Sequence, residues 1–302
     1  MTGNTRLAGR VRAVMTSDDA APGAPEILRY AAFATDPGGG NPAGVVLDAA
    51  GLSAERMLAI AAGLGYSETA FLTPGPGGVH TVRYFSPLAE VPFCGHATVA
   101  SAVALAERVG PGHYLYRTAA GEVPVEVVKD ADGALRATLT SVEPYVEAVD
   151  AADVAGALAL LGWEGADLDP ALPPRYAYAG ARHLVLAAAT RERLARLAYD
   201  FDGLAAFMTA RDLTTLQLVW RAAPDVFHVR DPFPVGGVVE DPATGAAAAA
   251  FGAYLRALDP DGVPPTVTLH QGEDLGRPGV LHVDPHTASP RVRVSGAAVA
   301  IP

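Results

Sequence analysis

The sequence predicts an α+β fold of two similar halves, each a strongly curved sheet wrapped around one central apolar helix. Three observations carry this reading. First, the turn Cys94-Gly95-His96-Ala97-Thr98 and the turn Glu240-Asp241-Pro242-Ala243-Thr244-Gly245 each feed an alanine-rich helix, Ala97 to Val109 and Ala246 to Leu258. Second, their entry glycines, Gly95 and Gly245, stand half a chain apart. Third, both helices are apolar nearly all round. A surface helix shows a polar face, so a helix of this kind must be surrounded, and most of the remaining chain reads as strand. An ordinary sheet-plus-helix layer is the alternative, and it would need more polar, exposed positions on these two helices.

The elements follow in order. Residues 1–26 carry arginines but no apolar signal-peptide core, and read as a mobile extension or an early start. A strand over Ile27 to Thr35 leads into the turn Asp36 to Pro42, rich in Gly, Asn and Pro, and a strand resumes over Ala43 to Leu47. Ser53 is an N-cap and Gly65 a stop for a helix over Ala54 to Leu64. Strands follow over Glu68 to Thr73 and Val79 to Phe85. The first apolar helix ends at Gly110-Pro111-Gly112. Residues 113–145 read as strands, Ala151 to Leu161 as a helix, and Ala181 to Ala187, Thr215 to Trp220 and Val226 to Val229 as strands, with a helix over Leu204 to Ala210. After the second apolar helix, Val267 to His270, Gly279 to Val283 and Val292 to Ile301 are strands.

Composition excludes several classes. The chain has 302 residues, which suggests two domains. It is 50% hydrophobic and only 18% charged, so much of it is interior, and its net charge of −11 argues against nucleic acid and anionic membranes as partners. No apolar run reaches the length of a membrane helix; a cytoplasmic enzyme is the default. A single cysteine forbids an internal disulfide. Cys94 and His96 lie close together but lack further partners at metal-ligand spacing, so no metal is expected. The run Gly38-Gly39-Gly40 lacks the spacing of a dinucleotide loop.

The two turns themselves suggest chemistry. A helix N-terminus carries unpaired N–H groups and a partial positive charge, and it binds anions. Two such ends converging on one cleft would hold an anionic substrate or an enolate-like intermediate, with His96 and Asp241 beside it as proton handlers. The alternative is that His96 and Asp241 only cap their helices.

At these residues the chain resembles the PhzF-like family of phenazine-biosynthesis isomerases. The matching segments are Asn41-Pro42-Ala43-Gly44, Tyr66-Ser67-Glu68-Thr69-Ala70-Phe71, Arg83-Tyr84-Phe85-Ser86-Pro87 with Glu90, Phe93 to Thr98, Thr118 to Gly121, Arg230 with Phe233-Pro234, Glu240 to Gly245, and Gln271-Gly272-Glu273 with Gly276-Arg277-Pro278. The resemblance covers about residues 27 to 301. It implies the diaminopimelate-epimerase-like fold, with a first domain of 27–121 plus 291–302, a second of 122–290, and the active site between them. It also implies an isomerase without metal or organic cofactor, acting on a small carboxylated metabolite of secondary metabolism, and a homodimer is common among such relatives.

Carried over residue by residue, the resemblance makes Glu68 the general base and acid, with His96 and Asp241 binding and polarising the substrate. Asn41, Gly95, Thr244, Gly245 and Ala246 would form the substrate-binding surface. Racemase relatives of this fold place a cysteine before each central helix. Here Cys94 holds the first place and Thr244 the second, so a two-thiol racemase is excluded, and Cys94 is either packing or auxiliary. The phenazine enzyme has serine where this chain has Ala246, which places its substrate in question. A diverged member with another proton-transfer or cyclisation activity, or a non-catalytic binding protein, are the competing readings.

Overall fold

The protein is described by a computed structural model over residues 25–286 and 289–302. The expected extension, 1–26, lies outside those residues except for its last two. The first half is a closed ring of eight strands. Leu28–Ala32, Asn41–Val46, Glu68–Pro74, Val79–Phe85, Gly112–Thr118, Gly121–Lys129 and Leu135–Thr140 pair in that order, and the last strand, Arg293–Ala300, closes the ring between Leu135–Thr140 and Leu28–Ala32. Two pairs in it are parallel: Asn41–Val46 with Glu68–Pro74, and Val79–Phe85 with Gly112–Thr118. Parallel neighbours need a crossover. The helix Ala54–Leu64 supplies the first, and the first central helix, Gly95–Val109, supplies the second.

The second half repeats this scheme. Arg175–Tyr178, Arg182–Ala187, Thr215–Ala223, Val226–Pro232, Val267–Gln271 and Gly279–Asp284 pair in order, with parallel pairs at the same two places. The second central helix, Gly245–Leu258, crosses over the second of them. An ion pair repeats too. Arg83 grips Glu90 through two hydrogen bonds at 2.7 and 2.6 Å, and Arg230 grips Glu240 through two at 3.0 and 2.5 Å.

Both central helices are engulfed. Gly95 through Ala106 are all buried, as are Gly245 and Ala247 through Leu255. Small side chains let the strands approach, and the bulk comes from the strands and a few helix positions, as where Phe251 packs edge-on against Phe227 at 4.9 Å between centroids. The few polar helix residues are satisfied internally: Thr98 Oγ1 donates to the Cys94 carbonyl at 2.7 Å and meets the Tyr84 hydroxyl at 2.6 Å.

Two strands carry the chain between halves. Leu135–Thr140 runs on into Tyr145–Ala148, which pairs with Arg175–Tyr178; Arg293–Ala300 starts beside Gly279–Asp284 and ends beside Leu28–Ala32. They are tied where they cross, by Ser141 N–H to the Val292 carbonyl at 2.9 Å and Val292 N–H to Ser141 Oγ at 3.0 Å. The hairpin Gly121–Lys129 and Leu135–Thr140 thus belongs to the first ring, beyond the boundary expected at 121/122. As a division of the chain, we propose crossings at Ser141 and Val292.

Local expectations differ from the structure where tertiary contacts decide. The helix Ala54–Leu64 has the expected bounds, with Ser53 Oγ accepting from Arg56 N–H and Gly65 in the left-handed region at φ 70°. The first strand stops at Ala32 rather than Thr35, because Phe33 turns to φ 62°. Its ring sits against Gly296, where an added Cβ would come within 2.3 Å of it. The strand Arg175–Tyr178 and the helix Arg191–Ala195 were not expected. Among the described residues no helix is long and apolar enough to cross a membrane.

Candidate active site

The two central helices meet end to end. A Cβ added to Gly95 would lie 3.3 Å from Gly245 Cα and 3.4 Å from the Ala246 nitrogen, so a side chain there would press the two N-termini apart. Neither N-cap residue, Cys94 or Thr244, uses its side chain to satisfy the first-turn N–H groups. A cavity of about 470 Å³ opens over this junction, between the two halves. Glu68, Cys94, Gly95 and His96 line it from one half; Asp241, Thr244, Gly245 and Ala246 line it from the other. Its cationic side chain, Arg182, is already engaged with the Arg211 carbonyl at 2.7 Å and Glu147 at 3.2 Å. Positive potential for an anion therefore comes from the helix ends.

Glu68 is the first residue of its strand, and its side chain is 15% exposed. Its Oε2 lies 3.3 Å from His96 Nε2 and 3.6 Å from Cys94 Sγ. Burial raises the Glu68 carboxyl above its ordinary range, while hydrogen bonds from Ser67 and Cys94 oppose the rise. Burial lowers His96, against the pull of Asp241, so the imidazole is neutral. Its Nδ1 lies 3.1 Å from Asn41 Nδ2 and 3.4 Å from Cys94 Sγ, an arrangement that assigns the ring proton to Nε2, facing Ser67 Oγ at 3.3 Å with Glu68 Oε2 alongside. Burial pushes the Cys94 thiol well up, and the Glu68 carboxylate adds to this, so the sulfur keeps its proton.

Asp241 is pushed up to about 6 by burial. It accepts from Asn41 Nδ2 at 2.7 Å and from Thr244 Oγ1 at 2.6 Å. Behind it, Gln271 accepts from Thr244 N–H at 3.0 Å and donates to Thr244 Oγ1 at 3.0 Å and to the Asp241 carbonyl at 2.9 Å. Two residues expected at the substrate-binding surface, Asn41 and Thr244, take part in these contacts. Asn41 is buried and is absent from the cavity wall; its amide nitrogen is spent on His96, Asp241 and the Ala243 carbonyl. The Thr244 hydroxyl faces Asp241 and Gln271, so its hydrogen bonds brace the turn.

The wall also holds His183 and Thr215, which the sequence did not single out, beside Phe93 and Phe233 from the matching segments and Tyr145 and Tyr178 stacked at 4.7 Å. His183 Nδ1 meets Thr215 Oγ1 at 2.8 Å, and burial pushes this imidazole down to about 3. A histidine inside the apolar run Arg182–Ala187 was the available signal. Thr215 pairs with His183 as Glu68 pairs with Ala43, on the equivalent parallel strands, so the second half has no carboxyl at the place of Glu68. The fold also supplies what Cys94 and His96 lack in sequence. Glu68 joins them, and one donor atom from each of the three lies within 4.8 Å of the others.

Comparison with known proteins agrees with this architecture. The family model described as "Phenazine biosynthesis-like protein" matches residues 30–302. An uncharacterized isomerase, YddE of Escherichia coli O157:H7, is 34% identical, over 91% of this chain and 96% of its own. The trans-2,3-dihydro-3-hydroxyanthranilate isomerase of Pseudomonas aeruginosa is 29% identical, over 86% of this chain and 90% of its own. Among solved structures, a phenazine biosynthesis protein of the PhzF family from Bacillus anthracis superposes with a TM-score of 0.81 at 26% identity, covering 91% of this chain and 96% of that one. A probable proline racemase from Agrobacterium radiobacter shares the fold alone, with a TM-score of 0.62 at 11% identity and 90% of each chain covered. With the family match running from the first strand to the C-terminus, the chain belongs to the PhzC-PhzF, phenazine biosynthesis-like family.

Proposed function

We propose that this protein is an isomerase that moves a proton between carbons of a small carboxylated metabolite, with Glu68 as general acid and base and no need of metal or organic cofactor. One observation carries the reading. Glu68 is a shielded carboxylate on the cavity, raised by burial, whose neighbours are a neutral imidazole, a thiol and a hydroxyl. Asp241, by contrast, is fixed by two donors and suits binding more than proton transfer. In the forward step Glu68 removes a proton from one carbon and becomes a carboxylic acid. The electron pair passes into the substrate, where His96 Nε2–H and the helix N-termini stabilise the developing negative charge. Glu68 then returns the same proton to another carbon and is an anion again.

The asymmetry of the halves supports a single proton carrier. Thr215 and Thr244 stand where a second carboxyl and a second thiol would be. The names of the relatives, isomerases, support the reaction class. Ala246, where the resemblance leads to a serine, supports a substrate other than the phenazine precursor. The test uses trans-2,3-dihydro-3-hydroxyanthranilate and its ring-modified analogues as probes in D₂O, followed by NMR. The wild-type chain should wash deuterium into a carbon position of at least one probe, and Glu68→Gln should not. Exchange by Glu68→Gln at the wild-type rate would overturn the assignment, and silence of the wild type across the series would favour the binding protein.

A further inference from the structure

We infer that His183, on the cavity wall of the second half, is a substrate-binding residue whose Nε2–H takes an acceptor oxygen of the ligand, from a carboxylate or a carbonyl. Its position comes first. The His183 side chain shares a face of the strand Arg182–Ala187 with Val185 and Ala187, which pack in the core around the second central helix. Leu184 and Leu186 pack on the opposite face. Of the three inward residues only His183 lines the cavity. It is fully buried, and Nε2, at the tip of the ring, has no hydrogen-bond partner among the described residues. Of the buried side-chain atoms left without a partner, it is the one whose residue stands on this cavity. Buried polar atoms are normally paired, so an orphan on the cavity wall marks a place for a ligand atom.

Proton accounting fixes what the atom offers. Nδ1 meets Thr215 Oγ1 at 2.8 Å, and that hydroxyl has no other partner among the described residues. If Nδ1 carried the ring proton, Thr215 would hold a buried hydroxyl proton without an acceptor, and Nε2 a buried lone pair without a donor. With Thr215 Oγ1–H donating to Nδ1, a single orphan remains, an Nε2–H. Burial keeps this imidazole neutral, so the wall presents one directed donor rather than a charge. Glu68 lines the cavity from the first half and His183 from the second. A ligand spanning the junction therefore has its proton-exchanging carbon at Glu68 and an oxygen at His183. A ligand with only a donor at that point, such as an ammonium, leaves Nε2–H unpaired and is disfavoured. The inference deepens the function proposed above, and rests on it in taking this cavity for the substrate's site.

The test reads the ring directly. The full chain, with its histidines labelled with nitrogen-15, is followed by long-range proton–nitrogen NMR, and His183 is assigned by its absence in His183→Gln and in His183→Phe. Three probes of similar size are titrated: benzoate offers a carboxylate, acetophenone an uncharged carbonyl, and toluene no acceptor. We expect His183 to be protonated at Nε2 in the free protein, and benzoate or acetophenone to move that proton downfield while toluene does not. Thr215→Val should let the Nδ1–H tautomer appear. His183→Phe should weaken benzoate binding by about 10–100-fold, or acetophenone binding by about 2–10-fold, the scales of one hydrogen bond to a charged and to a neutral group. His183→Gln keeps an N–H donor and should retain part of the affinity, which a merely structural role would not explain. Circular dichroism establishes that each variant is folded, and the wild-type shifts stand without the variants' affinities. A wild-type ring protonated at Nδ1, or an Nε2–H signal that neither oxygen probe moves, would overturn the inference. So would a signal that toluene moves as far as they do. Because proton transfer to carbon is not the readout, failure of this contact and failure of the isomerase reading are separate outcomes.

Discussion

The repeated arginine–glutamate pair offers a comparison inside one molecule. Arg230–Glu240 and Arg83–Glu90 sit at equivalent places, each linking a strand to the short strand before a central helix. Their surroundings differ. The side chains of Arg230 and Glu240 are 10% and 1% exposed, whereas those of Arg83 and Glu90 are 35% and 38% exposed. Removing one partner of a buried pair leaves an uncompensated charge and costs about 3–5 kcal/mol, while an exposed pair contributes about 0–1 kcal/mol. Arg230→Met also removes a hydrogen bond to the Ala195 carbonyl at 2.7 Å, adding about 1 kcal/mol. We therefore expect Arg230→Met to lower stability by about 4–6 kcal/mol and Arg83→Met by less than about 1 kcal/mol. Urea unfolding followed by circular dichroism measures both. The double variant Arg230→Met/Glu240→Leu should recover a large part of the loss, because no unpaired charge remains. Equal costs at the two sites, or no recovery in the double variant, would refute the reasoning from burial.

Three further outcomes are expected. Gly95→Ala adds a methyl group 3.3 Å from Gly245 Cα; stability should change by less than about 1 kcal/mol, since alanine is the better helix former, but calorimetric binding of trans-2,3-dihydro-3-hydroxyanthranilate or of whichever analogue binds should weaken at least about 10-fold as the helix ends are forced apart. Asp241 is raised to about 6 when folded and is near 3.9 when unfolded, so the folded state holds its proton more tightly. The stabilising increment is present below about pH 4 and is lost as pH rises through about 6, and the stability of wild type relative to Asp241→Asn should fall by up to about 3 kcal/mol over that window; a difference curve flat with pH would contradict this. In the deuterium-exchange assay Glu68→Gln should lose about 10²–10⁴-fold and Cys94→Ala much less; abolition by Cys94→Ala with Glu68→Gln intact would make this a one-thiol enzyme.

Much of the frame was legible because it is written in local signals. Ser53 and Gly65 bound a helix by cap chemistry alone, and the unbroken alanine faces after Gly95 and Gly245 require a surrounding sheet. The strand Arg175–Tyr178 was not legible, because four residues without alternation become a strand only through partners at Tyr145–Ala148 and Arg182–Ala187. The same holds for Phe33, whose turn is set by Gly296, distant in sequence. At the site, Glu68, His96 and Asp241 were picked out by motif, and the fold brings them to one cavity. Asn41 and Thr244 carry the same kind of signal, yet their polar atoms face inward and brace the others, a distinction that only distances reveal. His183 and Thr215 were overlooked because a strand start in an apolar run carries no chemical pattern of its own.

The central claim is that burial raises the Glu68 carboxyl above the ordinary carboxylate range. The direct measurement is a carbon-13 NMR titration of side-chain carboxyl groups in the glutamate-labelled chain, with the Glu68 resonance assigned by its absence in Glu68→Gln. The account predicts a midpoint clearly above the ordinary glutamate value of about 4.3, and a fall toward that value when Cys94→Ser and Phe93→Ala admit water to the pocket. A midpoint at or below about 4.3 in the wild-type protein would contradict it.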